Sequence, residues 1–306
     1  MFKIIETILM MICMIGIGAI ISYRSSFQQE QRKLMITLIV NVAMPAMIFV
    51  SFLHFPKDNQ FYFQLFIVFI FSLVLYMIAI MIGYFIAKWS GAQTNQVREM
   101  AVIGANGNTG FIGIPLCTAL FGTKGTLLAA AFDIGLGVSL WTVGVFLLQP
   151  NSMVAKLNLK PLLNFPIITF VVGMIISVLH ISLPEPMIQI FTNLGSLATP
   201  LALIFIGLMI PKLLQTWRFI SLYYLSTAIS VKLVLLPLIT ALLLSFFQMD
   251  PQMKLIILML SAMPTGSMVP IVFAQFRRNV EFGASATVFA TLLSLFTIPV
   301  LFLLSG

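Results

Sequence analysis

Ten apolar stretches, most of them at least twenty residues long, follow one another along the chain with only short polar segments between them. They cover residues 4–22, 33–55, 62–88, 97–121, 124–148, 161–180, 186–211, 219–247, 253–276 and 283–304. A helix needs roughly 20 apolar residues to cross the hydrocarbon core of a bilayer. Membrane strands would instead alternate apolar and polar residues over about ten positions. Because these runs are continuous, the pattern predicts an all-α membrane protein with ten transmembrane helices.

The composition excludes several classes of protein. Of the 306 residues, 60% are hydrophobic and 8% are charged, whereas a soluble domain carries about 25% charged residues. Ten spans use nearly the whole chain, so no soluble enzyme, nucleic-acid-binding domain or large extramembrane domain is expected. The net charge of +8 is therefore interpreted as membrane topology, with the lipid bilayer as partner and no nucleic acid.

Signatures of an enzyme or of a bound cofactor are lacking in the sequence. An intramembrane aspartyl protease needs two mid-membrane aspartates, and only Asp133 lies in the middle of a span. There is no HExxH motif and no phosphate-binding loop for ATP hydrolysis. Cys13 and Cys117 both lie in apolar stretches, where small hydrophobic packing is the expected role. We expect no catalytic residue, no metal and no cofactor.

Lysine and arginine are distributed unequally between the two sides of the predicted bundle. The loops after spans 1, 3, 5, 7 and 9 carry eleven positive charges, namely Arg24, Arg32, Lys33, Lys88, Arg98, Lys156, Lys160, Lys212, Arg218, Arg277 and Arg278. The other side carries four: Lys3, Lys57, Lys124 and Lys254. Because cytoplasmic loops are enriched in Lys and Arg, both termini are predicted to face outward from the cell (plasma) membrane. The stretch 4–22 is interpreted as the first span and not as a signal peptide.

The chain contains an internal repeat with a constant offset of 155 residues. Under this shift the prolines align as Pro45 with Pro200 and Pro115 with Pro270. Prolines weigh more in this comparison than aliphatic residues, because they are scarce and mark backbone breaks. Each half, 1–148 and 156–306, holds five spans, so the second half should enter the membrane upside down. Inverted repeats of this kind are typical of secondary transporters, although a duplication without functional symmetry stays an alternative.

Two spans carry residues that interrupt a helix. Residues 103–116 contain four glycines and a proline, and residues 260–270 contain two prolines and a glycine. Such breaks are costly in hydrocarbon unless they face protein or a wet cavity, and half-helix N-termini attract anions. The pair of breaks predicts a polar substrate site near the midplane, formed by Asn106, Asn108, Thr109, Gly110, Pro115, Pro264, Thr265, Gly266, Ser267 and Pro270. The alternative is that these residues are kinks for close helix packing.

The run Gly-Asn-Thr-Gly-Phe-Ile-Gly-Ile-Pro at 107–115, together with ten spans in a five-plus-five repeat, resembles the auxin efflux carrier family of membrane transporters. The resemblance implies a scaffold of spans 1, 2, 6 and 7. It also implies a mobile transport domain of spans 3–5 and 8–10, in which the broken spans 4 and 9 cross. The crossover positions would be Asn108 to Pro115 and Pro264 to Pro270.

The family includes plant auxin carriers and bacterial malate permeases, and the layout here is closest to the malate permease-like members. The plant carriers have a long central cytoplasmic loop, whereas the segment 149–160 is short in this chain. They also have a different Asn-Pro pattern in span 4. The resemblance therefore implies a small organic acid as substrate, in place of auxin.

Two charged residues lie in the middle of spans, Asp133 in span 5 and Lys232 in span 8. A charge at the bilayer centre costs at least about 2.5–3.5 kcal/mol. Their repeat counterparts are Val288 and Met77, so the architecture itself does not require charges there. Either the two pair and hold helices together, or they serve coupling. In the second case Asp133 binds a proton or another cation, or Lys232 attracts the substrate carboxylate.

These observations favour a secondary active transporter that carries a small organic anion, malate or another carboxylate, by alternating access. One alternative is an ion-coupled symporter of a different anionic or amphipathic solute. Another is a static channel or receptor-like membrane module. A proton or a sodium ion is the candidate coupling ion. The sequence does not decide whether the protein forms a homodimer.

Overall fold

The computed structural model describes residues 2–24, 29–54, 59–149, 163–213 and 221–305. Within these ranges the regular structure is helical, apart from one antiparallel bridge between Gly107 and Thr265, which confirms the all-α class. The helices are α1 Phe2–Arg24, α2 Gln29–Leu38, α3 Met44–His54, α4 Asn59–Trp89, α5 Thr94–Ala105, α6 Ile114–Ser139, α7 Val145–Leu148, α8 Phe165–Val178, α9 Glu185–Ser196, α10 Ala198–Leu213, α11 Leu222–Ser230, α12 Leu236–Ser245, α13 Pro251–Ser261, α14 Met268–Gln275 and α15 Val280–Ser305. Four of the positive charges used to predict the orientation lie outside the described residues, namely Lys57, Lys156, Lys160 and Arg218. The start of the second repeat, at 156–162, lies outside them as well.

Six continuous helical stretches in the described part of the chain are long and apolar enough to cross a membrane. They are Glu30–His54, Asn59–Trp89, Thr109–Leu148, Glu185–Met209, Leu222–Ser245 and Val280–Leu301. Three shorter apolar helices add Ile12–Arg24, Phe165–Val178 and Pro251–Ser261. The stretch from Thr109 is 40 residues long and contains a kink at Gly122, whose φ of 62° is left-handed. The protein is thus a multi-pass membrane protein, and the count of ten crossings stays a prediction.

Prolines explain most of the irregular helical turns. Among the described residues, three π turns end two residues before a proline: Ile39–Ala43 before Pro45, Thr109–Gly113 before Pro115 and Val231–Leu235 before Pro237. A proline cannot donate to the carbonyl four residues earlier, and its ring collides with that carbonyl. A wider turn relieves the collision and redirects the backbone hydrogen bonds. These turns place Thr109 and Lys232 at irregular points of their helices.

Two helices begin with a side-chain cap followed by proline. The carboxylate of Asp250 accepts a hydrogen bond from the Met253 N–H at 2.9 Å at the start of α13. The amide oxygen of Asn164 accepts from the Ile167 N–H at 3.0 Å at the start of α8. Both caps satisfy an N–H that has no partner inside the helix.

The described residues cluster into two compact units. The first is drawn from Met1–Phe66, Gly110–Ala131 and Leu163–Gln215. In this unit α1 packs on α10 so closely that a Cβ on Gly18 would collide with the Ile204 carbonyl oxygen. Aromatic side chains fix α3 on its neighbours, with ring centroids 5.0 Å apart for Phe52 and Phe170.

The second unit is drawn from Ile67–Thr109, Phe132–Leu162 and Thr216–Gly306. One polar cluster joins α5, the end of α7 and the turn between α14 and α15. Arg278 donates from Nε to the Leu148 carbonyl oxygen at 2.8 Å and from Nη1 to the Asn95 amide oxygen at 2.6 Å. The buried carboxylate of Glu99 accepts from the Asn279 N–H at 3.0 Å. The guanidinium thus satisfies a carbonyl at a helix C-terminus.

Arg278→Gln should destabilise the protein by about 2 kcal/mol, because the Leu148 carbonyl loses a charged donor. Thermal unfolding of the purified protein measures the loss as a lower Tm. The matched control is Arg277→Gln, which changes an exposed arginine with φ of 52° in the same turn. Equal Tm values for the two variants would contradict the role given to Arg278.

Candidate functional site

Two helix breaks meet in the second unit. Helix α5 ends at Ala105 and α13 ends at Ser261. The distance between these two ends along the chain matches the 155-residue offset of the repeat to within one residue. Beyond these ends the backbones pair, because the Asn108 N–H donates to the Pro264 carbonyl at 2.7 Å and the Gly266 N–H donates to the Asn106 carbonyl at 3.0 Å. Peptide groups released by a break are costly in a membrane. Each break therefore supplies hydrogen-bond partners to the other.

This pairing depends on glycine at two positions. A Cβ on Gly266 would collide with the Asn106 side-chain amide and lie 3.1 Å from the Gly107 carbonyl oxygen. A Cβ on Gly107 would lie 3.1 Å from the Lys232 Nζ atom. The glycines that predict helix breaks in the sequence therefore also permit the close approach of the two backbones.

Gly266→Ala should lower the Tm and transport together, since the added methyl group has no room beside Asn106. The expected cost is about 1–3 kcal/mol, as for overpacking in a close-packed core. Thermal unfolding and uptake into cells are the two measurements. Gly16→Ala is the matched control, because a Cβ there meets nothing within 4 Å. A Gly266→Ala protein with unchanged Tm would show that the breaks do not pack as described.

Two of the hydroxyl groups predicted to line the site, those of Thr109 and Thr265, form hydrogen bonds inside the protein. Thr109 is fully buried and its Oγ1 donates to the Asp133 carboxylate at 2.5 Å. Thr265 is also fully buried, and its Oγ1 donates to the Ile103 carbonyl at 3.3 Å. Each hydroxyl hydrogen has a partner within the second unit.

Lys232 reaches the same place from the π turn between α11 and α12. Its ammonium donates to the Ser261 carbonyl oxygen at 3.0 Å, and the side chain is only 1% exposed. Gly107 lies next to the ammonium, and Thr109 next to Gly107 holds Asp133. Both mid-membrane charges therefore lie around the paired breaks.

The remaining predicted residues fall into three groups. Asn108 is half-buried and Ser267 is exposed, so these two side chains are accessible at the breaks. Pro270 lies in the first turn of α14. Gly110 and Pro115 belong to the first unit; the Pro115 carbonyl accepts from the Thr199 hydroxyl at 3.4 Å.

Three features of the site are missed by the sequence. The Ser261 carbonyl holds Lys232, and the Thr287 hydroxyl donates to the Gly266 carbonyl at 3.2 Å. The Asn106 side-chain oxygen is buried without a hydrogen-bond partner among the described residues. A backbone carbonyl carries no signal in residue types, so only the fold reveals the first of these contacts.

No cluster of three or more His, Cys, Asp or Glu side chains is placed to hold a metal ion within the described ranges. The chemistry at the breaks comprises one ammonium, one carboxylate, amides, hydroxyls and backbone N–H and carbonyl groups. Such a set can bind and orient a polar solute through charge and hydrogen bonds.

Helices of membrane length, together with two helix breaks that pair beside a buried lysine and a half-buried aspartate, are typical of a membrane transporter. A family model described as "Membrane transport protein" matches the chain twice, over residues 3–156 and 150–302. The chain therefore belongs to this family, the auxin efflux carrier-like transporters. The two matches divide the chain near residue 150, while the 155-residue repeat and the inverted orientation of its halves stay predictions.

Two relatives match the chain over nearly its whole length. An uncharacterized transporter of Methanothermobacter thermautotrophicus is 23% identical over 299 residues, which is 96% of each chain. An uncharacterized transporter of Methanocaldococcus jannaschii is 22% identical over 305 residues, again 96% of each. Both carry the word transporter in their names, and neither name states a substrate.

Proposed function

We propose that the protein is a secondary active transporter that carries a small organic anion, malate or another carboxylate, by alternating access. The observation that carries this proposal is the fully buried ammonium of Lys232 beside the paired helix breaks. A fixed positive charge in a low-dielectric surrounding attracts an anion more strongly than it would in water.

The accessible polar groups at the breaks support binding of a carboxylate. Ser267 is exposed where α14 begins, and Asn108 is half-buried beside the paired backbone. The first N–H groups of a helix have no partner inside the helix, and the dipole there favours negative charge. The attraction between two charges has no preferred direction. Hydrogen bonds from neutral amide and hydroxyl groups would therefore orient the bound carboxylate.

Alternating access would use the two repeats, 1–148 and 156–306. In this proposal spans 1, 2, 6 and 7 form a scaffold, and spans 3–5 and 8–10 form the part that moves. Inverted repeats can exchange conformations, which gives an outward-open and an inward-open state of nearly equal energy. Asp133 would then bind the coupling ion, since its carboxylate already belongs to the site through Thr109.

Exchange in proteoliposomes tests the proposal. Vesicles with purified protein are loaded with unlabelled malate, succinate or lactate, and uptake of the same labelled acid is followed. A carrier should take up label faster when substrate is present inside, because the loaded site returns more readily than the empty one. A static channel or receptor-like module predicts no such acceleration. No uptake of any organic anion would contradict the substrate class.

The proposed orientation places both termini outside the plasma membrane, on the basis of the charge asymmetry between loops. Short tags at residues 1 and 306 should be reachable by antibody in intact cells. Access only after permeabilisation would invert the topology of every loop.

A further inference from the structure

We propose that Lys232 is a built-in cation: its ammonium takes the position that an alkali ion would take at the broken helices, so that no sodium ion is needed. This inference refines the anion transport proposed above. It rests on that proposed function only where it states that transport needs no sodium ion. The binding claim itself concerns the second unit alone and can be tested without any substrate.

The first argument is the location of the ammonium at helix C-termini. Ser261 is the last residue of α13, and its carbonyl accepts from Lys232 Nζ at 3.0 Å. Ala105, the last residue of α5, lines the same small cavity as Lys232 and Ser261. The last carbonyls of a helix lack intrahelical donors and form the negative end of its dipole. In transporters with broken helices, such ends and unwound carbonyls coordinate coupling cations.

The second argument is space. The cavity beside the ammonium has a volume of about 10 Å³ and is lined by Ser72, Tyr76, Ala105, Phe132, Lys232 and Ser261, among others. A volume of this size holds about one water molecule. A metal ion there would face the ammonium at close range, and like charges a few ångströms apart repel strongly away from bulk water. The ammonium and a free cation therefore exclude each other.

The third argument is that the lysine is held in place by its own backbone. The neighbouring Val231 is buried, and its Cγ1 would lie 3.0 Å from a Cβ on Gly104 of α5. On the other side Leu233 is buried as well. The π turn is thus fixed against α5, and the four-carbon side chain delivers the charge to the breaks. A mobile surface lysine would not define a cation position in this way.

Removal of the Lys232 side chain should leave a position that can bind an added cation. Lys232→Ala leaves the Ser261 carbonyl without its donor and opens space where the propylammonium end of the side chain lay. We expect the Tm of this variant to fall by about 5 °C, since an unsatisfied buried polar group destabilises the folded state. Sodium or a small primary amine such as propylammonium should raise the Tm again, because a ligand that binds the folded state stabilises it.

The experiment is thermal unfolding of the full-length purified protein in sodium chloride, propylammonium chloride, tetramethylammonium chloride and N-methyl-D-glucamine chloride at equal ionic strength. The wild-type Tm should be the same in all four salts. Lys232→Ala should recover at least half of its Tm loss in sodium or propylammonium and none in tetramethylammonium, which has no N–H to donate. Leu233→Ala is the matched control, because it opens an apolar space in the same π turn and should respond to no cation.

Three outcomes would overturn the inference. One is a wild-type protein that itself gains stability from sodium. Another is a Lys232→Met protein as stable as the wild type in N-methyl-D-glucamine chloride. The last is a Lys232→Ala protein that no cation stabilises. If Lys232→Ala does not fold, the wild-type and Lys232→Met measurements still decide. Because none of these readouts uses uptake, cation rescue without organic-anion transport would refute the proposed function and leave this inference standing.

Discussion

Asp133→Asn is expected to abolish uphill accumulation of substrate while exchange across the membrane continues. Asparagine is neutral at every pH and mimics a protonated carboxyl group, so the variant can no longer pick up and release the coupling ion. Accumulation is measured in proteoliposomes under an imposed inward proton gradient, and exchange is measured with substrate on both sides. If Asp133 carries the coupling ion, only the first activity is lost.

The contacts of Asp133 explain why this carboxylate is suited to coupling. Its Oδ1 accepts from the Thr109 hydroxyl at 2.5 Å, within the first residues of helix after the break. Its repeat counterpart is Val288, so the fold accepts an apolar side chain at that position. If Lys232 supplies the fixed cation, the ion left for Asp133 to bind is a proton.

Two matched pairs of variants separate coupling from packing. Asp133→Glu keeps a carboxylate and should retain part of the accumulation, whereas Asp133→Asn should retain none. Thr109→Val removes the hydroxyl donor and should alter the pH dependence of accumulation, while Thr109→Ser should not. A purely structural pair predicts that Asp133→Asn loses protein level or both activities, and that Lys232→Met in addition restores them. Restoration by the double change would refute the coupling role.

The positions of the helix breaks could be predicted from the sequence because they depend on local backbone chemistry. Glycine and proline act on their own turn of helix, and the structure ends α5 at Ala105 and α13 at Ser261, next to the clusters that predict the breaks. The proline at 115 lies in the first turn of α6 and that at 270 in the first turn of α14, where a missing N–H costs nothing.

The hydrogen-bond partner of each polar side chain could not be predicted in the same way, because it depends on contacts between distant segments of the chain. Thr265 donates to a carbonyl 162 residues away, and Arg278 donates to one 130 residues away. In the sequence, Arg278 is one of eleven positive charges on the side predicted to be cytoplasmic, and nothing in its neighbours indicates a helix C-terminus. Residue types specify what a side chain can bond, and the fold decides which partner is near.

The surroundings of the two charges predicted to lie in mid-membrane could be predicted in part. Their cost in hydrocarbon predicts that each has a partner, and the sequence leaves the identity of the partners open. The structure provides the Ser261 carbonyl for Lys232 and the Thr109 hydroxyl for Asp133. Neither partner carries a formal charge, which is why charge counting along the sequence does not find them.

Asn108→Ala is expected to weaken substrate binding without a loss of stability. The backbone N–H of Asn108, which the change preserves, holds the Pro264 carbonyl at 2.7 Å, and its side chain is half-buried and accessible. A lost hydrogen bond to a charged group is worth about 1.5–3 kcal/mol, or roughly a tenfold to hundredfold loss of affinity. The substrate concentration for half-maximal uptake should rise accordingly at an unchanged Tm.

Thr265→Val provides the contrast, because the same sequence pattern points to both residues and only their contacts differ. Thr265 is fully buried and its hydroxyl donates to the Ile103 carbonyl, so valine should lower the Tm by leaving that carbonyl short of a donor. The expected cost is about 1 kcal/mol, with affinity for substrate nearly unchanged in the protein that stays folded. Thermal unfolding and concentration-dependent uptake of both variants measure the two effects side by side. Reversed results, with a lower Tm for Asn108→Ala and weaker binding for Thr265→Val, would move the binding surface from the accessible to the buried side of the paired breaks.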